Sequence, residues 1–529
     1  GGYFCLDNST VDVRICPDAR KNCSTTFGTA SCQSSSGCKG GAGNPCAGNL
    51  TGTYCELCDR TDGALVFYKP ATDTAVASCE DCGNRLGQTF GVFALGLAVL
   101  ILFIAAVLRA RRRLSAPTTA WLRRINGVYT PVNKAKILFT FYQIATKVPS
   151  VYGVSLPTDV NDFLESFSSF ISFGMNGVAT TPLECLGLTG YVWRLVFWML
   201  LPPIIIVVII SSVCISRSAS SRKRRRAGST APALKTRLDS DDEHGGAFHL
   251  ADAQAASETP PTFVEQSLPP VLTSLFFLYP LVTKAAFDGF PCYSFANGRG
   301  WLRADVSIEC GTADHAAAMG VAWIAVVAYP IGIWLFCFIC LWHASSAIIA
   351  GKETNFTRGV GMLHREYDLT AFWWELAEMV RKFLLVGLFV TIEPGSILQI
   401  TIGTIVCAAF LLIQLQAKPY KNAADDYLAA ASSFALLMLF TCSIIFKYDA
   451  LTTSDDLLAK MSLEQKEAYL VPNVLLSAIL FASVVGSLLF AGVLVTVQVV
   501  IDIKERAKLR RLKYVADDKW VVCKQLDDP

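Results

Sequence analysis

The stretch Leu195–Arg226, LVFWMLLPPIIIVVIISSVCISRSASSRKRRR, decides the class of this chain. From Leu195 to Ile215 it is apolar on every side and carries no charge. About 20 such residues cross a bilayer as a helix, whereas a helix on a soluble surface keeps one polar face. Arg222, Lys223, Arg224, Arg225 and Arg226 follow, the kind of basic block that stays on the cytoplasmic side of a membrane. Phe90–Leu108 repeats the pattern and runs into Arg109, Arg111, Arg112 and Arg113. Leu268–Phe287, Ala316–Trp342, Ser396–Gln416, Tyr427–Phe446 and Val471–Ile501 are also long and apolar.

Composition agrees with these segments. Of 529 residues, 53% are hydrophobic and 17% charged, against about 25% charged in soluble domains. Mean hydropathy is +0.43. A net charge of +3 leaves no basic excess for nucleic acid. The expected partner is therefore the lipid bilayer.

Two further segments are apolar but interrupted. Ile137–Val154 contains Lys147 and Pro149, and Thr370–Ile392 contains Glu375, Glu378, Arg381 and Lys382. Either could lie along the membrane surface instead. With both counted as spans the chain crosses nine times, with its amino terminus outside and its carboxyl terminus inside. Most Lys and Arg then fall on the inside. Omitting one of the two puts either Arg222–Arg226 or the Lys504–Lys513 tail outside; omitting both restores those two ends but merges loops, so nine is the preferred count.

The first 82 residues hold ten of the 19 cysteines: Cys5, Cys16, Cys23, Cys32, Cys38, Cys46, Cys55, Cys58, Cys79 and Cys82. That density in a Gly/Ser/Thr-rich region with few large aliphatics reads as a disulfide framework in an oxidising compartment. Its connectivity is open. Sequons at Asn8, Asn22 and Asn49 fit the same compartment, while Asn355 falls inside and is expected to carry no glycan. Cys55-x-x-Cys58 with Cys79-x-x-Cys82 also has zinc-site spacing, but six more cysteines and the sequons favour disulfides. Cys292 and Cys310 are the two cysteines of one outer loop and are expected to pair. Cys185 is left over, either free or joined to the amino-terminal domain. Cys214, Cys337, Cys340, Cys407, Cys442 and Cys523 fall in membrane or cytoplasm, where thiols stay reduced. The chain starts Gly-Gly without Met, so a preceding piece, with or without a signal peptide, is expected.

The expected fold is thus an all-α polytopic membrane protein of about nine helices with a small, loop-rich extracellular domain at residues 1–86. Residues 87–215 hold helices one to three and 267–501 helices four to nine. Residues 216–266 read as a disordered cytoplasmic linker from their charge clusters and Pro/Ala/Ser content, and 502–529 as a basic tail. Arg222–Arg226 and Lys504–Lys513 are stop signals or contacts for anionic lipid. Ser454–Leu470 has the spacing of a short amphipathic helix at the outer surface.

Several stretches carry a family resemblance. They are Gly52-Thr-Tyr-Cys55-Glu-Leu-Cys58 with Cys79-Glu-Asp-Cys82, Val148-Pro-Ser-Val-Tyr152-Gly-Val-Ser-Leu-Pro157, and Phe290-Pro-Cys292 with Trp301 to Cys310. Tyr329-Pro-Ile-Gly-Ile333, Phe372-Trp-Trp-Glu375 with Arg381-Lys382, Lys418-Pro-Tyr420 and Asp425-Asp-Tyr-Leu428 complete the series. Together they resemble polytopic proteins of microbial eukaryotes with ephrin-receptor-like (EGF-like) cysteine repeats before a TRP-like, polycystin-related membrane region. The resemblance implies a plasma-membrane or endomembrane protein with cation-channel character. Against it, no Gly-rich apolar loop lies between spans to form a filter, and no Arg at every third position forms a voltage sensor.

The charges in Thr370–Ile392 are the candidate functional cluster. Glu375, Glu378 and Lys382 share one helix face, with Arg381 beside them. Charges at membrane depth must face other helices or water. They line an ion path or gate, or they pair, Glu378 with Arg381 or Lys382, and dock the helix. Lys147 and Lys284, near outer ends of spans, read as interfacial. Pro149, Pro202, Pro203, Pro280 and Pro330 interrupt spans and supply kinks. With five His at no metal-ligand spacing, no phosphate loop and no nucleophile elbow, neither an enzyme nor a cofactor is expected. Three functions stand: a TRP-like cation channel or channel-related sensor, a receptor or adhesion scaffold binding an extracellular ligand, and a transporter using the charge cluster.

Overall fold

The computed structural model describes residues 2–6, 12–17, 19, 36–40, 45–60, 65–71, 75–83, 129–154, 156–171, 183–228, 262–452 and 473–526. Phe90–Leu108, Ser454–Leu470, Asn8, Asn22, Cys23 and Cys32 lie outside them. The molecule is mostly helical, with small strands confined to the disulfide-bearing end.

Six described helices are long and apolar enough to cross a membrane: Tyr191–Ser218, Phe263–Phe287, Ala313–Ile349, Ile397–Ala417, Ala423–Tyr448 and Val474–Glu505. Their outward faces stay apolar. Leu200, Ile204, Val207, Val208 and Ile215 are all exposed on the first of them, as a lipid-facing helix requires. The expected count of nine is not reached by length and composition. Phe90–Leu108 is outside the described residues, and the two interrupted segments fold as broken helices.

The first of these comprises α1 (Pro131–Ala145) and α2 (Val148–Tyr152), broken around Lys147 where Pro149 cannot continue the hydrogen-bond ladder. Lys147 does not reach the interface as expected; it is buried, with its Nζ 3.5 Å from Ser168 Oγ on α3 (Thr158–Ile171). Lys284 is partly exposed and pairs with Asp288 at 2.8 Å. The α4 helix (Tyr191–Gly228) continues through the basic block, and α5 (Phe263–Phe287) starts at a capping box formed by Thr262 and Glu265. The linker read as 216–266 is therefore helical at both margins, because Arg and Lys are good helix formers and Thr-x-x-Glu is a helix start signal.

After α6 (Ala313–Ile349), interrupted by a π-turn at Val327–Ile331 around Pro330, come two short helices, α7 (Asn355–Gly359) and α8 (Gly361–His364). The second interrupted segment then runs as α9 (Trp374–Lys382), a π-turn (Phe383–Gly387) and a 3-10 turn (Leu388–Thr391). The last elements are α10 (Ile397–Ala417), α11 (Ala423–Thr452) and α12 (Asn473–Leu526). The α12 helix continues well past the apolar stretch through the basic tail.

Contacts between ends sort the bundle. The α1–α2 segment lies along α11, from Lys134 against Asp425 (2.8 Å) to the Tyr152 carbonyl, which accepts from Lys447 (3.2 Å). The segment holding α9 runs the same way, from Tyr367 beside Tyr420 to the Pro394 carbonyl, which accepts from Arg303. The bends are held. Tyr152 donates to the Leu385 carbonyl inside the π-turn (3.0 Å), and Gln399 donates to the Val151 and Phe389 carbonyls. Gly387 sits so close to α5 that a Cβ there would meet Thr283 Cγ2 at 2.7 Å. One core cluster, containing Tyr142, Tyr152, Leu436, Phe440 and Leu480, joins these segments.

At the disulfide end, β1 (Tyr3–Cys5) pairs antiparallel with β2 (Val13–Ile15), β3 (Leu50–Thr51) with β4 (Leu57–Cys58), and β5 (Val66–Lys69) with β6 (Ser78–Asp81). The loop before α6 forms a three-stranded sheet of β7 (Cys292–Ser294), β8 (Gly300–Leu302) and β9 (Asp305–Glu309). Disulfides join Cys16 to Cys38, Cys46 to Cys55, Cys58 to Cys79, Cys82 to Cys185 and Cys292 to Cys310. The two Cys-x-x-Cys pairs are thus divided among three bridges. Cys185 ties the start of α4 to the amino-terminal domain. Cys5 is unbridged, as are Cys214, Cys337, Cys340, Cys407 and Cys442.

Candidate functional site

The α9 charges face inward. Glu375, Glu378, Arg381 and Lys382 are exposed by only 2%, 5%, 7% and 1%. In α9 every third or fourth residue is acidic or basic on the stripe facing α1, α5, α10 and α11, while the neighbouring Val380 is exposed.

Each charge has a defined neighbour. Lys136 Nζ on α1 lies 2.7 Å from Glu375 Oε2 and 3.3 Å from Glu366 Oε2. Tyr367 donates to Glu375 Oε2 at 2.9 Å. Arg381 Nη2 lies 2.6 Å from Glu378 Oε2, and its Nη1 donates to Ser433 Oγ on α11 at 3.0 Å. Ser433 in turn donates to Gln414 Oε1 on α10 at 2.6 Å. The Arg381 guanidinium also sits 4.2 Å from the centroid of Phe410. Among the described residues Lys382 makes no ion pair; its Nζ is 4.1 Å from the centroid of Phe276 on α5, an attractive placement for a cation. Of the two partners the sequence allows for Glu378, the geometry supplies Arg381.

A second pair closes the same end. Lys134 and Asp425 meet at 2.8 Å, and Asp425 also accepts from Thr130 (2.9 Å) and Asn133 (3.2 Å). Outside the spans, burial pushes the hydroxyls of Tyr367 and Tyr420 well above their usual range. Burial also raises the Glu366 carboxyl, with Lys136 pulling it back.

Lys136, Glu366, Tyr367 and Lys134 were not among the sequence candidates. Lys134 and Lys136 sit at the start of the first interrupted span, where unpaired lysines call for acidic partners. Tyr420 and Asp425 lie within the stretches that carried the family resemblance.

A small cavity lies between α1, α9, α10 and α11, lined by Lys136, Glu378, Arg381, Gln414, Ser432 and Leu436 among others. At about 20 Å³ it has room for one or two waters.

The disulfide end forms a second junction. Tyr54 packs against Phe4, Tyr293 and Phe295, and Phe295 against Trp301. Asp12 accepts from the Ala296 N–H at 2.8 Å, and its carboxyl is held below the usual range first by Arg14 and then by that N–H. Asp305 accepts from the Tyr191 N–H at 2.8 Å, and Arg303 donates to the Pro394 carbonyl at 3.0 Å. The β7–β9 sheet therefore touches the cysteine-rich domain on one side and the helix bundle on the other. Asn49 is exposed on that domain.

Fold and junction together define a polytopic helical membrane protein with a disulfide-rich amino-terminal region. A 174-residue stretch is 28% identical to Cysteine repeat modular protein A of Toxoplasma gondii, covering 30% of this chain. The chain spans about 5% of the length of that relative. No protein family matches the chain, and no solved structure matches it.

Proposed function

We propose that the chain is a channel-related membrane sensor, in which a disulfide-rich outer domain acts on a helix bundle through the β7–β9 sheet. The observation that carries this reading is the double attachment of that sheet. Tyr293, Phe295 and Trp301 pack on the cysteine-rich domain, while Arg303 and Asp305 bond to Pro394 and Tyr191 at the bundle. Displacement of the outer domain is then delivered to the turn between α9 and α10. Cation conduction rests on the TRP-like resemblance.

A nine-span topology is part of the same proposal. Disulfides occupy one end of the bundle, and α1–α2 and the α9 segment each run its full length. With Phe90–Leu108 as the first span, the outer end is extracellular or luminal and the tail cytoplasmic, with Arg222–Arg226 and Lys504–Lys513 beside anionic lipid. Glycans at Asn49 and none at Asn355 test this; occupancy at Asn355 would overturn it.

The scaffold reading has one observation in its favour: Lys136 is balanced by Glu375 and Glu366, and Arg381 by Glu378, as docking requires. The transporter reading rests on the charge cluster, beside which the cavity of about 20 Å³ has room for one or two waters. Purified protein in planar bilayers decides between the first two. Currents that change when reductant is added to the disulfide side support the sensor. Silent bilayers from folded protein leave the scaffold.

A further inference from the structure

The Glu378–Arg381 pair is incomplete as a hydrogen-bonded unit. Arg381 Nη2 lies 2.6 Å from Glu378 Oε2 as an ion pair, but that oxygen accepts no hydrogen bond among the described residues. Arg381 Nε, Gln414 Nε2 and Ser432 Oγ likewise have no hydrogen-bond partner there. The four side chains are each more than nine-tenths buried, and all four line the one cavity between α9, α10 and α11. Native interiors rarely leave even one such atom unpaired.

Ser433 Oγ accepts from Arg381 Nη1 and donates to Gln414 Oε1. That commits the oxygen of Gln414 and leaves its NH₂ for the cavity. The cavity then presents two N–H donors, from Arg381 and Gln414. It also presents one carboxylate acceptor, Glu378, and one hydroxyl, Ser432, that takes either role.

We propose that this cavity is a water-binding site, in which one ordered water links α9, α10 and α11. A water accepts two hydrogen bonds and donates two. Its capacity matches the four groups, with two acceptances for Arg381 Nε and Gln414 Nε2 and two donations for Glu378 Oε2 and Ser432 Oγ. The volume of about 20 Å³ suits it. An ion does not suit it. A cation meets the Arg381 and Gln414 donors, an anion meets the Glu378 carboxylate, and the wall charges of Lys136 and Arg381 already balance Glu375 and Glu378. The inference stands whether or not the bundle conducts.

X-ray hydroxyl-radical labelling of the full chain in lipid nanodiscs, with exchange into ¹⁸O water, tests it. Radicals formed at a bound water oxidise the side chains around it. Leu436 and Phe141 line the cavity; Leu439 and Phe440 are equally buried and do not. Labelling of Leu436 and Phe141 several-fold above Leu439 and Phe440, with ¹⁸O exchange slower than at exposed Leu412, is expected. Equal labelling of all four would overturn the site. Gln414→Leu with Ser432→Ala should bring Leu436 down to the level of Leu439; unchanged labelling in that folded variant counts against it. If the variant fails to fold, the wild-type comparison still decides. Replacing sodium, potassium and chloride by N-methylglucamine gluconate should leave the pattern unaltered. A rise in Leu436 labelling on their removal would show an ion in the water's place.

Discussion

Lys136 on α1 and Glu375 on α9 meet at 2.7 Å, binding together the two segments that the sequence leaves interrupted. Neither segment is apolar enough to be held by lipid alone. Breaking a buried pair by removing one partner costs about 3–5 kcal/mol, because the other charge stays buried. Lys136→Met takes the cation from both Glu375 and Glu366, and its thermal unfolding in detergent should fall accordingly. Lys136→Met with Glu375→Leu should recover part of the loss, since an apolar pair of similar volume is tolerated while Glu366 still lacks Lys136. No recovery in the double variant would mean that Lys136 acts through Glu366 instead.

Cys82 and Cys185 join the amino-terminal domain to the start of α4 across 103 residues of sequence. In the chain-entropy account, closing so long a loop stabilises by about 4–5 kcal/mol. Cys185→Ser should leave Cys82 open to alkylation and speed proteolysis of residues 1–83, while the bundle stays protease-resistant. Non-reducing peptide mapping that joins Cys185 to a cysteine other than Cys82 would refute the connection.

His364 gives its end of the bundle a dependence on pH. Burial holds its imidazole below the usual 6.5, with Lys421 and Arg365 adding repulsion and the Thr357 carbonyl opposing. The unfolded chain therefore takes up a proton at higher pH than the folded one. The neutral imidazole contributes its full stability above about pH 6.5, and that contribution is lost as pH falls below it. Unfolding temperature followed from pH 7.5 to 5.5 should drop more steeply in the native chain than in His364→Gln. Parallel slopes would remove His364 from the account.

How far the sequence reached depends on what each residue must satisfy. Leu195–Ile215 was legible because lipid demands an apolar surface all round, a property each residue shows on its own. Cys185 was legible as an odd cysteine, but Cys82 as its partner was not, since connectivity depends on where distant strands fold. The α9 stripe was legible from helical spacing alone. Lys136 was not, because its meaning lies in Glu366 and Glu375, which the chain reaches only after several spans. The π-turns at Val327–Ile331 and Phe383–Gly387 have no spacing signal; the second is held by Tyr152 from another segment.

Glu378 and Arg381 are the pair whose exchange separates docking from conduction. Glu378→Lys places like charges against Arg381 inside the bundle, and the protein should lose several kcal/mol of stability. Adding Arg381→Glu restores an opposite-charge pair at the same i, i+3 spacing, and most stability should return. Adding Lys382→Glu instead should restore less, because Lys382 Nζ sits over the Phe276 ring, whereas the ion pair of Glu378 is with Arg381. Thermal unfolding of the three variants tests the pairing, and equal rescue by both second substitutions would show that only net charge matters. Ion flux into liposomes reads the other role. If the pair only docks α9, flux and stability recover together in the Glu378→Lys, Arg381→Glu protein. If it borders an ion path, stability recovers and flux stays altered, since the sign of charge nearest the path has been exchanged.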